Sequence, residues 1–119
     1  MSKTLDFYFG FGSPYSYLAQ TQLAALAERS QCSINYHVLD VRKLFELTGN
    51  ASPASVPLKR KYLGKDLQMW SRHYNVPFRV PSRFPINSRL AVAGAAIAQT
   101  KGKLPEWIET ALQAYFVWD

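Results

Sequence analysis

The sequence predicts an α/β fold in which a β-α-β unit over residues 4–39 is followed by a stretch with helical periodicity only. Two observations carry this. Thr4–Phe9 and Ser33–Leu39 alternate apolar and polar side chains with the period of two expected of strands. Between them a helix opens on Ser13-Pro14, and from Asp40 onward the apolar spacing follows the helical repeat.

In the first strand Leu5, Phe7 and Phe9 alternate with Asp6 and Tyr8, and the Gly10-Phe11-Gly12 turn ends it. The first helix takes Ser13 as N-cap and Pro14 as its first residue. Leu18, Ala25 and Leu26 are among its apolar positions, and it is expected to end before Arg29–Gln31. In the second strand Ile34, Tyr36 and Val38 share one face, while Asn35, His37 and Leu39 share the other. A helix joining two neighbouring parallel strands makes a right-handed crossover.

Asp40 is placed to cap a short helix that Gly49 stops, and Pro57 is placed to start the next one. Leu63, Leu67, Trp70 and Tyr74 then form a single-face stripe, so that helix packs against a neighbour. Pro77, Pro81 and Pro85 force an extended segment before Asn87, the expected cap of a helix whose LAVAGAAIA core is apolar all round. Such a helix is expected at the buried centre of a bundle. The last helix begins near Pro105, with Trp107, Ile108, Ala111, Leu112, Tyr115 and Phe116 in register. A two-stranded parallel sheet has unpaired edges, so further strands of the fold are expected to lie outside this sequence. The expected division is an N-terminal part over residues 1–48 and a helical part over residues 49–119.

At 119 residues, 48% hydrophobic and 14% aromatic, the chain is long enough to bury a core and is not of disordered composition. Its longest apolar run, Leu90–Ala98, is far short of the roughly 20 residues that span a bilayer, and no apolar signal region opens the sequence. The expectation is a soluble, cytoplasmic protein. The single cysteine, Cys32, rules out an intramolecular disulfide, suits a reducing compartment and is expected as a small buried hydrophobe. His37 and His73 have no partner at metal-ligand spacing, so no metal is expected.

Fourteen Lys and Arg against eight Asp and Glu leave a formal net charge of +6, which favours anionic partners. Lys59, Arg60, Lys61 and Lys65, then Arg72, Arg79, Arg83 and Arg89, concentrate it in the middle of the chain. No nucleic-acid recognition module accompanies them, so small carboxylates are the expected ligands rather than nucleic acid.

The chemistry centres on Ser13-Pro14-Tyr15-Ser16, which reads as a redox Cys-Pro-Tyr-Cys turn with both sulfurs replaced by hydroxyls. A helix opening there presents backbone N–H groups and the positive end of its dipole, which favour an anion. With Ser at both positions, disulfide exchange is excluded.

FYFGFGSPYSYLA, FELTGN, PLKRKYLGKDL and VPFRVPSRFPINS resemble, in order and spacing, the 2-hydroxychromene-2-carboxylate isomerases. That family is similar to kappa-class glutathione transferases and has a DsbA-like thioredoxin fold interrupted by a helical insertion. The resemblance runs from Leu5 to Trp118 and covers the front part of the family's fold. It implies glutathione as cofactor, a homodimer, and isomerisation of 2-hydroxychromene-2-carboxylate to trans-o-hydroxybenzylidenepyruvate in aromatic catabolism.

By the same resemblance Ser13 is the catalytic residue that contacts the glutathione sulfur. Asn50, Lys59 and Asp66 are further glutathione-binding candidates. Tyr15, Arg83 and Asn87 are candidates for meeting the substrate. Taken alone, Ser13 and Asn87 are ordinary helix caps, Asn50 is turn chemistry, Lys59 is a solvated lysine and Asp66 a partner for a neighbouring base. Two other readings compete: a kappa-like transferase acting on a different substrate, and a basic binding module or inactive piece without enzymatic function.

Overall fold

The computed structural model describes residues 3–119. β1 (Lys3–Phe9) and β2 (Cys32–Val38) form a parallel two-stranded sheet, in register from Lys3 opposite Cys32 to Phe9 opposite Val38. Helix α1 (Pro14–Ser30) joins them, so the β-α-β unit is as expected apart from boundaries. α1 runs through Arg29 to Ser30, past the expected stop, because Gln31 takes a left-handed cap and its N–H reaches back to Ala27 and Glu28. Cys32 is half-buried at the start of β2, not fully buried, since it lies at the end of the sheet rather than over the core.

Asp40 caps α2 (Val41–Thr48) by accepting the Lys43 N–H at 3.1 Å, and Gly49 ends it in a left-handed cap. A 3₁₀ turn (Pro53–Ser55) leads to α3 (Pro57–Tyr74), then the proline segment, α4 (Arg89–Thr100) and α5 (Leu104–Gln113). One wider helical turn, Ala114–Trp118, follows α5. Among the described residues no helix is long and apolar enough to cross a membrane.

The core is one cluster. Phe9 and Phe11 from the β1 end and Tyr17 and Leu18 from α1 meet Leu67 of α3, Ala91 and Ala95 of α4, and Ile108, Leu112 and Phe116. Side chains from both sides of residue 48 therefore share one interior. Phe7, Tyr36 and Val38 pack against it from the sheet, while Asp6, Tyr8, Asn35 and His37 lie on the other, open face.

On that open face His37 Nε2 lies 2.9 Å from Asp6 Oδ1, Asn35 donates to the same oxygen, and Tyr8 stacks on the imidazole. The bonds from His37, then Asn35, hold the Asp6 carboxyl below the usual carboxylate range. A carboxyl depressed in the folded state stabilises it above the unfolded pKa of about 4, and that contribution disappears as pH falls through the lower folded value. Asp6→Asn is therefore expected to flatten the decline of melting temperature between about pH 5 and pH 3. An acid limb as steep as the parent's would remove Asp6 from the account.

Helix α4 is not the buried centre of a bundle. Only Ala91, Ala95 and Ala98 are buried, whereas Leu90 is 85% and Ile97 60% exposed. A uniformly apolar composition cannot say which side faces inward; here the small face does, allowing close approach by α5. Trp107 of α5 donates from Nε1 to the Ala91 carbonyl at 2.9 Å and lies so close to Gly94 that a Cβ there would sit 2.0 Å from Cζ2. Gly94→Ala is expected to destabilise by about 1–3 kcal/mol in urea unfolding, overriding the roughly 1 kcal/mol that alanine gains in helix propensity. A more stable variant would show that Trp107 simply moves aside.

The stripe on α3 is also less uniform than its spacing. Leu67 is buried and Leu63 and Tyr74 half-buried, but Trp70 lies at the exposed edge against His73 and Tyr74. Asn87 precedes the helix instead of capping it. Ser88 occupies the cap position without a side-chain bond, and Asn87 Oδ1 accepts the Arg89 N–H at 3.2 Å.

Candidate active site

The Ser-Pro-Tyr-Ser turn is held by reciprocal hydrogen bonds. Gly10 leaves the sheet so close to α2 that a Cβ there would lie 2.5 Å from Val41 Cγ2, which only glycine avoids. Its carbonyl accepts the Ser13 N–H at 3.1 Å, and its own N–H donates to Ser16 Oγ at 3.2 Å. Ser16, at the second former redox position, thus braces the turn.

Ser13 has the extended backbone of an N-cap, and its Oγ accepts the Ser16 N–H at 3.1 Å. That bond uses an oxygen lone pair and leaves the hydroxyl proton free. The Ser13 O–H and the Tyr15 N–H have no acceptor among the described residues. Two donors at the positive end of a 17-residue helix favour a negatively charged atom beside Ser13.

Tyr15 points its hydroxyl at α3 and donates to Asp66 Oδ2 at 2.5 Å. Burial, then the Asp66 bond, push its phenol well above the ordinary tyrosine range, so it stays neutral and its proton is committed to Asp66. Asp66 therefore pairs with Tyr15, not with a neighbouring Arg or Lys, and clamps α3 to the start of α1. The next turn of α1 makes a second clamp. Tyr17 is buried and donates its hydroxyl to the Pro77 carbonyl, fastening the proline segment to the same helix. Sequence reasoning passed over Tyr17; its position one turn beyond Ser13 is the available signal.

The far end of the proline segment returns to the turn, with the Ile86 carbonyl 3.8 Å from where a Gly12 Cβ would be. Asn87 follows directly, so its segment borders the site. Lys59 lies seven residues before Asp66 on α3, about 10 Å along the helix, and is exposed. Asn50 is exposed after α2, and its Oδ1 accepts the Ala51 N–H at 2.8 Å, which is turn chemistry.

Arg83 is exposed and lies in the field of Asp119. Asp119 accepts from Ser82 N and Oγ at 2.9 and 3.0 Å, and those bonds hold its carboxyl below the usual range. The structure thus joins Tyr15 to Asp66 directly, two residues along the chain from Ser13, and brings the segment before Asn87 to the Gly12 turn beside them. It shows no side-chain contact from Asn50, Lys59 or Arg83 to that group among the described residues.

The family model described as "DSBA-like thioredoxin domain" matches residues 4–118. Three curated proteins named 2-hydroxychromene-2-carboxylate isomerase are similar in sequence. The protein from Sphingobium xenophagum is 43% identical over 71% of this chain and 44% of its own length. That from Pseudomonas putida is 34% identical over 96% and 55%, and that from Pseudomonas sp. (strain C18) 39% over 81% and 47%.

A solved structure of selenomethionine 2-hydroxychromene-2-carboxylate isomerase superposes with a TM-score of 0.84 at 30% identity, covering 95% of this chain and 56% of that one. The chain thus spans about half the length of the curated relatives it matches. Matched from Thr4 to Trp118 and carrying the β-α-β start and serine turn described above, the chain belongs to the DSBA-like thioredoxin domain family, in which the relatives it resembles are 2-hydroxychromene-2-carboxylate isomerases.

Proposed function

We propose that this chain forms part of a glutathione-dependent isomerase that interconverts 2-hydroxychromene-2-carboxylate and trans-o-hydroxybenzylidenepyruvate. The observation that carries the reading is the unspent Ser13 hydroxyl proton at the start of α1, in a chain whose relatives bear an isomerase name. A thiolate is an anion with no proton to donate, so a site that holds it needs donors. Ser13 O–H and Tyr15 N–H fit that need, and the absence of a cysteine at positions 13 and 16 means the sulfur comes from the ligand.

When bound, glutathione would supply a soft nucleophile able to add reversibly to a conjugated double bond, which makes rotation about that bond possible. The protein's share is position and charge. Ser13 donates to the sulfur and favours its ionised form, with one unit of lowered pKa equal to about 1.4 kcal/mol. The Tyr15–Asp66 clamp fixes the turn relative to α3, and Lys59 on that helix offers a cation for a tripeptide carboxylate. Asn87, in the segment that returns to the turn, is assigned as a substrate contact.

The test follows the chromene absorbance with the purified protein, with and without glutathione. Turnover that needs the thiol supports the reading; equal rates in its absence would overturn it.

A further inference from the structure

Helix α3 turns two unlike rows of side chains to solvent. Leu58, Tyr62 and Met69 recur at i, i+4 and i+11 and are 80%, 61% and 59% exposed. Lys61, Lys65 and Arg72 repeat that spacing three residues later, and all are exposed. At 3.6 residues per turn, three residues set the basic row about 60° from the apolar one, and together the rows extend for roughly 20 Å. The buried side of the helix is elsewhere, at Leu67 and Ser71.

The basic row has no acidic partner among the described residues, whose ion pairs are His37–Asp6, Lys43–Glu46 and Arg79–Asp119. Beside it is a concavity of about 600 Å³ lined by Lys61, Gly64, Lys65, Gln68, Met69 and Arg72. Gly64 opens it, because a Cβ there would meet nothing within 4 Å. Lys59 lies about 120–160° round the helix from Lys61, Lys65 and Arg72, so the basic row is separate from the cation proposed to serve the Ser13 site, and the apolar row runs between them.

We propose that this face of α3 docks an acidic amphipathic helix of a partner protein. Its apolar side chains would cover Leu58, Tyr62 and Met69, its carboxylates would meet Lys61, Lys65 and Arg72, and one side chain would seat in the Gly64 notch. A lipid surface has no knob for the notch, and a nucleic-acid strand leaves the apolar row uncovered. A second copy would set its own basic row against this one, where like charges repel.

The probe is a fluorescein-labelled synthetic helix with leucines at i, i+4 and i+11 and glutamates three positions after each, titrated with the full 119-residue chain. Saturable binding is expected, weakening with salt and at least about tenfold weaker for the Lys61→Glu, Lys65→Glu, Arg72→Glu triple variant. Gly64→Ala puts a methyl group into the notch while favouring the helix, so it should weaken binding about fivefold without loss of thermal stability. Equal affinity for a shuffled peptide, an unaffected triple variant, or tighter binding to phosphatidylserine vesicles or duplex DNA at the same salt would each overturn the proposal.

Discussion

Replacing Ser13 by alanine is expected to lower kcat/KM for the proposed isomerisation by about 10- to 100-fold, the worth of one hydrogen bond to a charged atom. The same change removes the α1 cap, costing about 1 kcal/mol of stability and a few degrees of melting temperature. Ser13→Gly separates the two effects, because glycine at an N-cap costs only a few tenths of a kcal/mol while still removing the hydroxyl. Both variants should lose activity, and only the alanine variant should melt clearly earlier. The bound thiol, followed by thiolate absorbance, should titrate at higher pH in both. A Ser13→Gly protein with parental turnover would leave Ser13 as a cap alone.

The largest stability effect is expected at Phe116. Its side chain is fully buried, its ring centroid lies 5.8 Å from that of Tyr17 and 6.2 Å from that of Phe78, and its carbonyl accepts the Arg79 N–H at 2.8 Å. Phe116→Ala removes the ring from a junction of α1, the proline segment and the turn after α5, and is expected to cost about 3–5 kcal/mol in denaturant unfolding. Against a typical total of roughly 5–15 kcal/mol that is a large share. Since Tyr17 is one turn from Ser13, the cavity should also loosen the serine turn, raising KM for the proposed glutathione cofactor before the chain unfolds. A loss below about 1 kcal/mol would mean that neighbouring rings collapse into the space.

Local chemistry made much of this fold legible. Ser13-Pro14, Asp40 and Gly49 act on their own backbone within four residues, so the ends of α1 and α2 that they define were readable without any partner. The alternation in LDFYF and INYHV likewise marked the two faces of the sheet, and Ser13 itself stood out because a serine replaces a sulfur in a recognisable turn.

The α4 expectation failed for a physical reason. In a run such as LAVAGAAIA, hydrophobicity is nearly the same in every direction, so the buried side is chosen by which face lets a neighbour come close. The alanine and Gly94 face admits Trp107, and the larger Leu90 and Ile97 are left outside.

By itself the sequence determined the β-α-β start, the capped turn at Ser13 and the positions where α1, α2 and α3 begin, because these depend on contacts a few residues apart. Only the tertiary structure decided that Asp66 belongs to Tyr15, that Tyr17 holds Pro77, and that Arg83 lies in the field of the Asp119 carboxylate. Those partners are separated by 36 to 60 residues, and which of many equally charged or polar groups meet is settled by how α1, α3 and the proline segment pack around one core.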